Sequence, residues 1–499
     1  MIRSLVSWIP AAVVGVVAFV AARMALLPGL GFWDTAELQA VAPVLGTAHP
    51  TGFPTYVLLG WVANGLLTPF GEPALRMNLF AALSVAVAAA VTVDLARALT
   101  RSLSLGVMAG LGLALTTLVW GIGTHAEAHA LHLALVVILF RLLVAWEDGR
   151  RDRTLVAAAV VFALAVGNHS LTLLLAPPIA LYVLAVEPEI LRRPRFVAGC
   201  AAALAVTLVL VYLELPLRAG PFRAPLVYGR PDTWDGFWYV ALAEQFRGAV
   251  VGPFDDLPGK LADLVDRTVA AFGPLAVLLP LAFAATAVLR PRYALLSGTA
   301  VAITCFFSAS YVNAMIDRYY LGPVFIAWTW LALLVAGVAS AAGSTIRGER
   351  RPDPVIATGL AVVLLIPTFL SLPDRYRAVD RSADVTARAW VEDALANVAQ
   401  DAVVVSWWSY STPLWYAQVV EGRRPDIDII DDRTRLDRNL GDIYDVIDAN
   451  LPNRPVYVIR IEPEDFAGLQ ERYLLDGNAM TALTRVVGRR DVGQRELTE

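Results

Sequence analysis

Apolar runs of about 17 to 25 residues, each long enough to cross a hydrocarbon core of about 30 Å, recur along most of this chain. We read about eleven of them, near residues 5–27, 75–97, 103–121, 127–146, 154–169, 171–187, 196–216, 269–289, 293–310, 320–342 and 355–371. A water-soluble fold cannot bury so many, and a 57% hydrophobic content with only 17% charge points the same way. The expected fold class is therefore a mostly α, polytopic membrane protein. Run 5–27 is longer than a usual signal-peptide core and is interrupted near its end by Arg23, so it reads as a retained anchor. A net charge of −4 argues against nucleic acid as a partner. Cys200 and Cys305 fall far apart inside apolar runs, which offers neither a disulfide framework nor a metal spacing.

Arginine clusters set the expected orientation, because basic residues in short loops resist translocation. Arg3, then Arg97 and Arg101, then Arg150, Arg151 and Arg153, then Arg192, Arg193 and Arg195, then Arg290 and Arg292, then Arg347, Arg350 and Arg351 occupy every second boundary. This places the N-terminus in the cytoplasm of a multi-pass inner (cell) membrane protein. With an odd number of spans, residues 373–499 lie outside, together with segments 28–74 and 217–268. Residues 1–372 are then the membrane domain. The stretch 53–69 carries Pro54, Asn64, Gly65 and Pro69, and counting it as a span would break the arginine alternation. We read 34–45 and 53–68 as two helices at the outer face. From Asp374 the composition becomes that of a soluble domain, with helices near 383–399 and 412–421 and strands at Val403–Trp407, Ile427–Ile430 and Val456–Ile459, a small α/β layer.

The orientation gathers the polar residues at one face. Asp34, Glu37, His49, His125, Glu127, His129, Asn168, His169, Glu214, Arg218, Asp317 and Arg318 all fall there, with four of the five histidines among them. Ionisable groups at membrane depth are costly and mark a pathway or a site. Asp34 and Glu37, at i and i+3, share a helix face; one of two such carboxylates is expected to hold a proton or to find a cation, although an Asp N-cap followed by an acidic third residue would look the same. His49-Pro50-Thr51-Gly52-Phe53-Pro54 is a stiff turn that fixes His49. His125 and His129 stand at i and i+4, a spacing able to hold zinc, yet Glu127 is not next to the first histidine as in the zinc-protease pattern, and a hydrogen-bonded place in a substrate cavity is the favoured reading. Arg218 offers a donor fork suited to phosphate. Tyr228, Trp234, Phe237, Trp238 and Tyr239 read as an interfacial belt before a sugar-stacking surface.

Asp34-x-x-Glu37, His49-Pro-Thr-Gly-Phe-Pro54, Arg76-Met-Asn78, Trp120 with Glu127, Gly167-Asn168-His169, and the distal Trp415-Tyr416 with Arg424-Pro425-Asp426 form an ordered series. In that series the chain resembles a bacterial multi-spanning family first catalogued as a domain of unknown function. That family is similar to the eukaryotic transmembrane protein O-mannosyltransferases and, more distantly, to the GT-C superfamily. Departures stand at Thr51, Ala36 and His129, where the family more usually has proline, glycine and an aromatic residue. The resemblance implies a GT-C-like bundle and an inverting glycosyltransferase that moves a sugar, a mannose-like hexose being favoured, from a polyprenyl-phosphate donor to a hydroxyl of a protein, lipid or glycan acceptor. It also implies an acidic catalytic base in the first outer segment, here Asp34 with Glu37 as second candidate.

On this reading the leaving phosphate meets Arg218, Arg318 or a divalent metal, no cofactor being fixed by the sequence. His49, His125, Glu127, His129, Asn168, His169 and Asp317 line the substrate site. The rival is a transporter or lipid-linked saccharide flippase, for which the polar cluster would be a translocation path; its usual marks, mid-membrane polar residues and repeat symmetry, are not found here.

Overall fold

The computed structural model describes residues 8–252, 254–313, 315–347 and 352–490, so Arg3, Arg350 and Arg351 of the orienting clusters lie outside the described residues. Among the described residues six helices are long and apolar enough to cross a membrane: Pro73–Thr100, Ala128–Gly149, Pro194–Ala219, Leu257–Leu289, Pro291–Ala309 and Ile316–Gly343. Pro354–Leu370 and Leu372–Val379, joined at a 50° bend, make a seventh if taken as one span. The chain is a multi-pass membrane protein. The remaining apolar runs form shorter helices, among them Ile9–Met24, Leu103–Ala114 and Ser170–Val186. Their lengths differ from the runs because hydropathy does not register a backbone break. Run 103–121 is cut at Thr116, whose extended backbone (φ −67°, ψ 130°) separates Leu103–Ala114 from Thr117–Ile122.

Several of these helices open on proline, at Pro73, Pro194, Pro291 and Pro354, where the fixed φ suits the first turn and the missing N–H is not needed. Asp353 adds a side-chain cap, accepting from the Val355 and Ile356 amides. The main core is built on Phe140, Trp146, Phe325 and Trp328. At Gly112 the Trp328 ring comes so close that a Cβ would stand 2.4 Å from it, so a bare backbone is required there. Pro194–Ala219 has only 6% of its apolar window buried, the state of a helix that faces lipid on nearly every side.

Segment 28–74 folds as helices Trp33–Val44 and Pro54–Leu66, joined by the His49 turn in which Gly52 takes φ +77° and donates to the His49 carbonyl. Beyond the membrane helices lies a five-stranded sheet of order β2-β1-β3-β5-β4, with β1 Val403–Val405, β2 Asp428–Ile430, β3 Val456–Val458, β4 Tyr473–Asp476 and β5 Thr484–Arg489. β1 runs parallel to β2 and β3, while β5 is antiparallel to β3 and β4. Helices Thr386–Asn397 and Trp408–Trp415 accompany it. The sheet domain is not a separate bead: Val391, Trp415, Tyr416 and Tyr457 share one core with Leu30, Ala36 and Ala40 of segment 28–74. The Ala74 amide donates to the Tyr416 hydroxyl across the same boundary.

Candidate active site

Helix Trp33–Val44 carries Asp34 in its first turn, with the carboxylate on the wall of a cavity of about 800 Å³. Asp34 does not pair with Glu37. Its Oδ2 lies 2.9 Å from Nη1 of Arg318, and the same nitrogen lies 3.0 Å from Oε2 of Glu127. Arg318 thus bridges a carboxylate that is 31% exposed and one that is 2% exposed. Burial would push Glu127 towards its neutral form, but Arg318 and the neighbouring histidines outweigh it and hold the carboxyl well below the ordinary range. Glu127 also caps the helix Ala128–Gly149, accepting from the His129 amide at 3.1 Å and meeting His129 Nδ1 at 2.8 Å.

Glu37 turns to the opposite side, where it lines a smaller polar pocket, and its partner is His49. One carboxylate oxygen accepts the His49 amide at 2.9 Å and the other contacts Nδ1. Burial lowers the basicity of this imidazole, but Glu37 more than restores it, raising His49 to about 9. The His49 ring therefore reaches the large cavity as an imidazolium backed by a hidden carboxylate. The expectation that one of the two carboxylates finds a cation is met twice over, by a different cation for each.

The other candidates divide. His129 and His169 line the large cavity with ring centroids 4.6 Å apart. His125 lines a second cavity of about 850 Å³, which shares Arg318 with the first. The helix starts only at Ala128, so His125 and His129 are not at helical spacing and face different spaces. Among the described residues no group of three or more His, Cys, Asp or Glu is placed to hold a metal. Asp317 lines the second cavity and pairs with Arg267. Asn168 is fully buried, its amide donating to the Ala128 carbonyl at 2.9 Å, which is a brace between helices. Arg218 is on neither wall. Its guanidinium donates to the carbonyls of Leu45 at 2.8 Å and Val44 at 3.0 Å, where helix Trp33–Val44 ends in a left-handed residue and leaves those oxygens open. The proposed phosphate holder is a cap for the helix that carries Asp34.

Asn78, one member of the motif series, is the joint behind the site. It accepts from Gln39 and from the Ala126 amide, both at 2.8 Å, and donates to the carbonyls of Leu27 and Gly29, both at 2.9 Å. It ties the irregular segment leading into Asp34 to the loop leading into Glu127. Sequence reasoning missed Tyr319, Trp408 and Arg433, which also line the cavity. Trp408 and Arg433 come from the sheet domain, more than 350 residues along the chain from Asp34, and no local pattern marks them.

The bundle shares its fold with a solved membrane protein. Over 97% of each chain it superposes on ArnT from Cupriavidus metallidurans bound to undecaprenyl phosphate, with a TM-score of 0.56 at 15% identity, and over 97% of this chain and 98% of the other on the apo state of that protein, with a TM-score of 0.55 at 14% identity. Within that fold the chain resembles the transmembrane O-mannosyltransferases. Residues 34–190 match the family model described as the Protein O-mannosyl-transferase TMEM260 N-terminal domain. Protein O-mannosyl-transferase TMEM260 of Mus musculus is 29% identical over 229 residues, which is 44% of this chain but 31% of that relative's length.

Proposed function

We propose that this chain is an inverting membrane glycosyltransferase that takes a sugar, a mannose-like hexose being favoured, from a polyprenyl-phosphate donor. The observation that carries the reading is the Asp34 carboxylate, accessible on the wall of a large cavity and held by a half-buried arginine. In the proposed step an acceptor hydroxyl gives its proton to Asp34 while its oxygen bonds to the anomeric carbon. The bond from that carbon to the phosphate oxygen breaks, and the lipid phosphate leaves with the electron pair. A single displacement inverts the anomeric centre. Arg318 orients Asp34, and the Glu127 pairing holds Arg318. The likeness to a solved protein bound to undecaprenyl phosphate and to an O-mannosyl-transferase supports the donor class. The acceptor would be a protein, lipid or glycan hydroxyl.

We further propose eleven membrane crossings, with the shorter apolar helices tilted or completed by their flanking turns, the N-terminus cytoplasmic, and the Asp34 face and residues 373–499 outside the inner membrane. Reporters active only in the cytoplasm or only outside, fused after residue 499, test this; activity of the cytoplasmic reporter would overturn it. The chemistry is tested by giving the purified protein in lipid discs a polyprenyl-phosphate hexose and analysing cell-envelope glycoconjugates with and without the protein. Sugar gained by an acceptor supports the reading. Movement of the intact donor across a vesicle bilayer with no transfer would make the protein a flippase instead.

A further inference from the structure

The large cavity is lined by three arginines, and two are already neutralised. Arg318 sits between Asp34 and Glu127, and Arg247 stands 3.5 Å from Glu244. His49, cationic as well, is matched by Glu37. The third arginine, Arg433, comes from the sheet domain, on the short helix Asp432–Asp437. Its Nη2 donates to Oε1 of Gln245 at 2.7 Å, and its guanidinium carbon lies 3.6 Å from the Tyr228 ring centroid. Both partners are neutral, and the Tyr228 hydroxyl donates to the same Gln245 oxygen. Arg433 makes no ion pair with a carboxylate among the described residues, and its buried Nη1 has no hydrogen-bond partner among them. Asp437 and Glu37 are near enough to act on it through space but touch none of its nitrogens, so a guanidinium stacked on an aromatic ring and pinned at one nitrogen is held rigid with a donor left over.

We propose that Arg433 binds the phosphate of the lipid donor, so that the soluble domain supplies the anion-binding group of the membrane cavity. This inference rests on the donor reading above and assigns the task once expected of Arg218 or Arg318. A polyprenyl-phosphate sugar carries one negative charge on its phosphodiester. When the bond to the anomeric carbon breaks, the departing monoester carries two, and the proton from the acceptor has gone to Asp34. The charge that grows is on the phosphate, and an arginine without a carboxylate partner responds to it more strongly than one already shared between two.

The test uses the full-length protein in lipid discs and measures binding of undecaprenyl phosphate against undecaprenol, which has the same chain without the phosphate. Wild type should prefer the phosphate. In Arg433→Gln that preference should shrink about ten- to hundredfold while undecaprenol binding stays the same. Arg433→Lys, which keeps the charge and loses the planar stack, should recover part of it. Arg381→Gln, altering an arginine on the second cavity, should leave the preference intact. Full preference in Arg433→Gln would overturn the assignment while leaving the donor reading standing. Loss of preference in Arg381→Gln but not in Arg433→Gln would move the phosphate to the second cavity. A wild type that does not distinguish the two lipids would remove the donor reading and this inference with it.

Discussion

Replacing Asp34 by asparagine separates chemistry from stability, because of the way Arg318 is shared. The substitution keeps the volume and the hydrogen-bonding shape of the side chain but removes its charge and its ability to take a proton at neutral pH. Arg318 Nη1 keeps Glu127 Oε2 at 3.0 Å, so the buried half of the bridge survives and no buried charge is left alone. The half that is lost involves a carboxylate 31% exposed, and pairs of that kind contribute about 1 kcal/mol or less. The cap position of helix Trp33–Val44 is Phe32, with no side-chain cap, so the helix does not depend on Asp34 for its start. General-base assistance contributes about 10²–10⁴-fold, equivalent to about 3–5 kcal/mol of barrier. Turnover of a polyprenyl-phosphate hexose by purified Asp34→Asn should therefore fall by about two to four orders of magnitude, with a melting temperature within a few degrees of wild type. Near-normal turnover would remove Asp34 from the mechanism and leave it as a helix-terminal residue. A large loss of stability would show that the two halves of the bridge are not independent, contrary to the reasoning from exposure.

Arg218→Ala should leave donor affinity unchanged and cost about 2 kcal/mol in unfolding, because two helix-terminal carbonyls lose a charged donor; weakened donor binding in a stably folded variant would return Arg218 to the site. Asn78→Leu should destabilise by about 3 kcal/mol, since it takes the Asn78 partner from the buried Leu27 carbonyl and Ala126 amide and removes the bonds to Gln39 and to the Gly29 carbonyl, and a silent substitution would contradict the bracing role. The His49–Glu37 pair predicts a pH dependence. His49 is raised from 6.5 to about 9 on folding, so the pair's contribution is complete below pH 6.5 and is lost as pH climbs towards 9. Melting temperature should fall across that window in wild type and stay flatter in Glu37→Gln, whereas equal slopes would mean that the imidazole gains nothing from the carboxylate.

The membrane character, the two helices of segment 28–74, three of the five strands and six of the cavity's polar residues, Asp34, His49, Glu127, His129, His169 and Arg318, were legible in the sequence. Hydropathy and strand alternation are local properties, and the motif series keeps its order along the chain. Choice of partner was not legible. Asp34 and Glu37 are three residues apart on one helix, yet the first meets Arg318, 284 residues away, and the second meets His49 across a turn. Arg218 misled for a similar reason: a sequence shows a donor fork near the right face but not the two open carbonyls that absorb it. Backbone breaks were not legible either: the apolar run 103–121 continues through Thr116 while the helix does not.

The core shared by helix Trp33–Val44 and the sheet domain bears on how such proteins can be recombined. Ala36 and Ala40 pack on Val391, Trp415 and Tyr416, while the same helix presents Asp34 to the cavity. The helix belongs to two modules that are distant in sequence, so grafting the distal domain of a relative onto this bundle would change the bed on which Asp34 rests. A working chimera would have to carry the Trp33–Val44 helix along with its new C-terminal half, and the joint for exchange lies at the contacts of that helix rather than at the compositional boundary near Asp374.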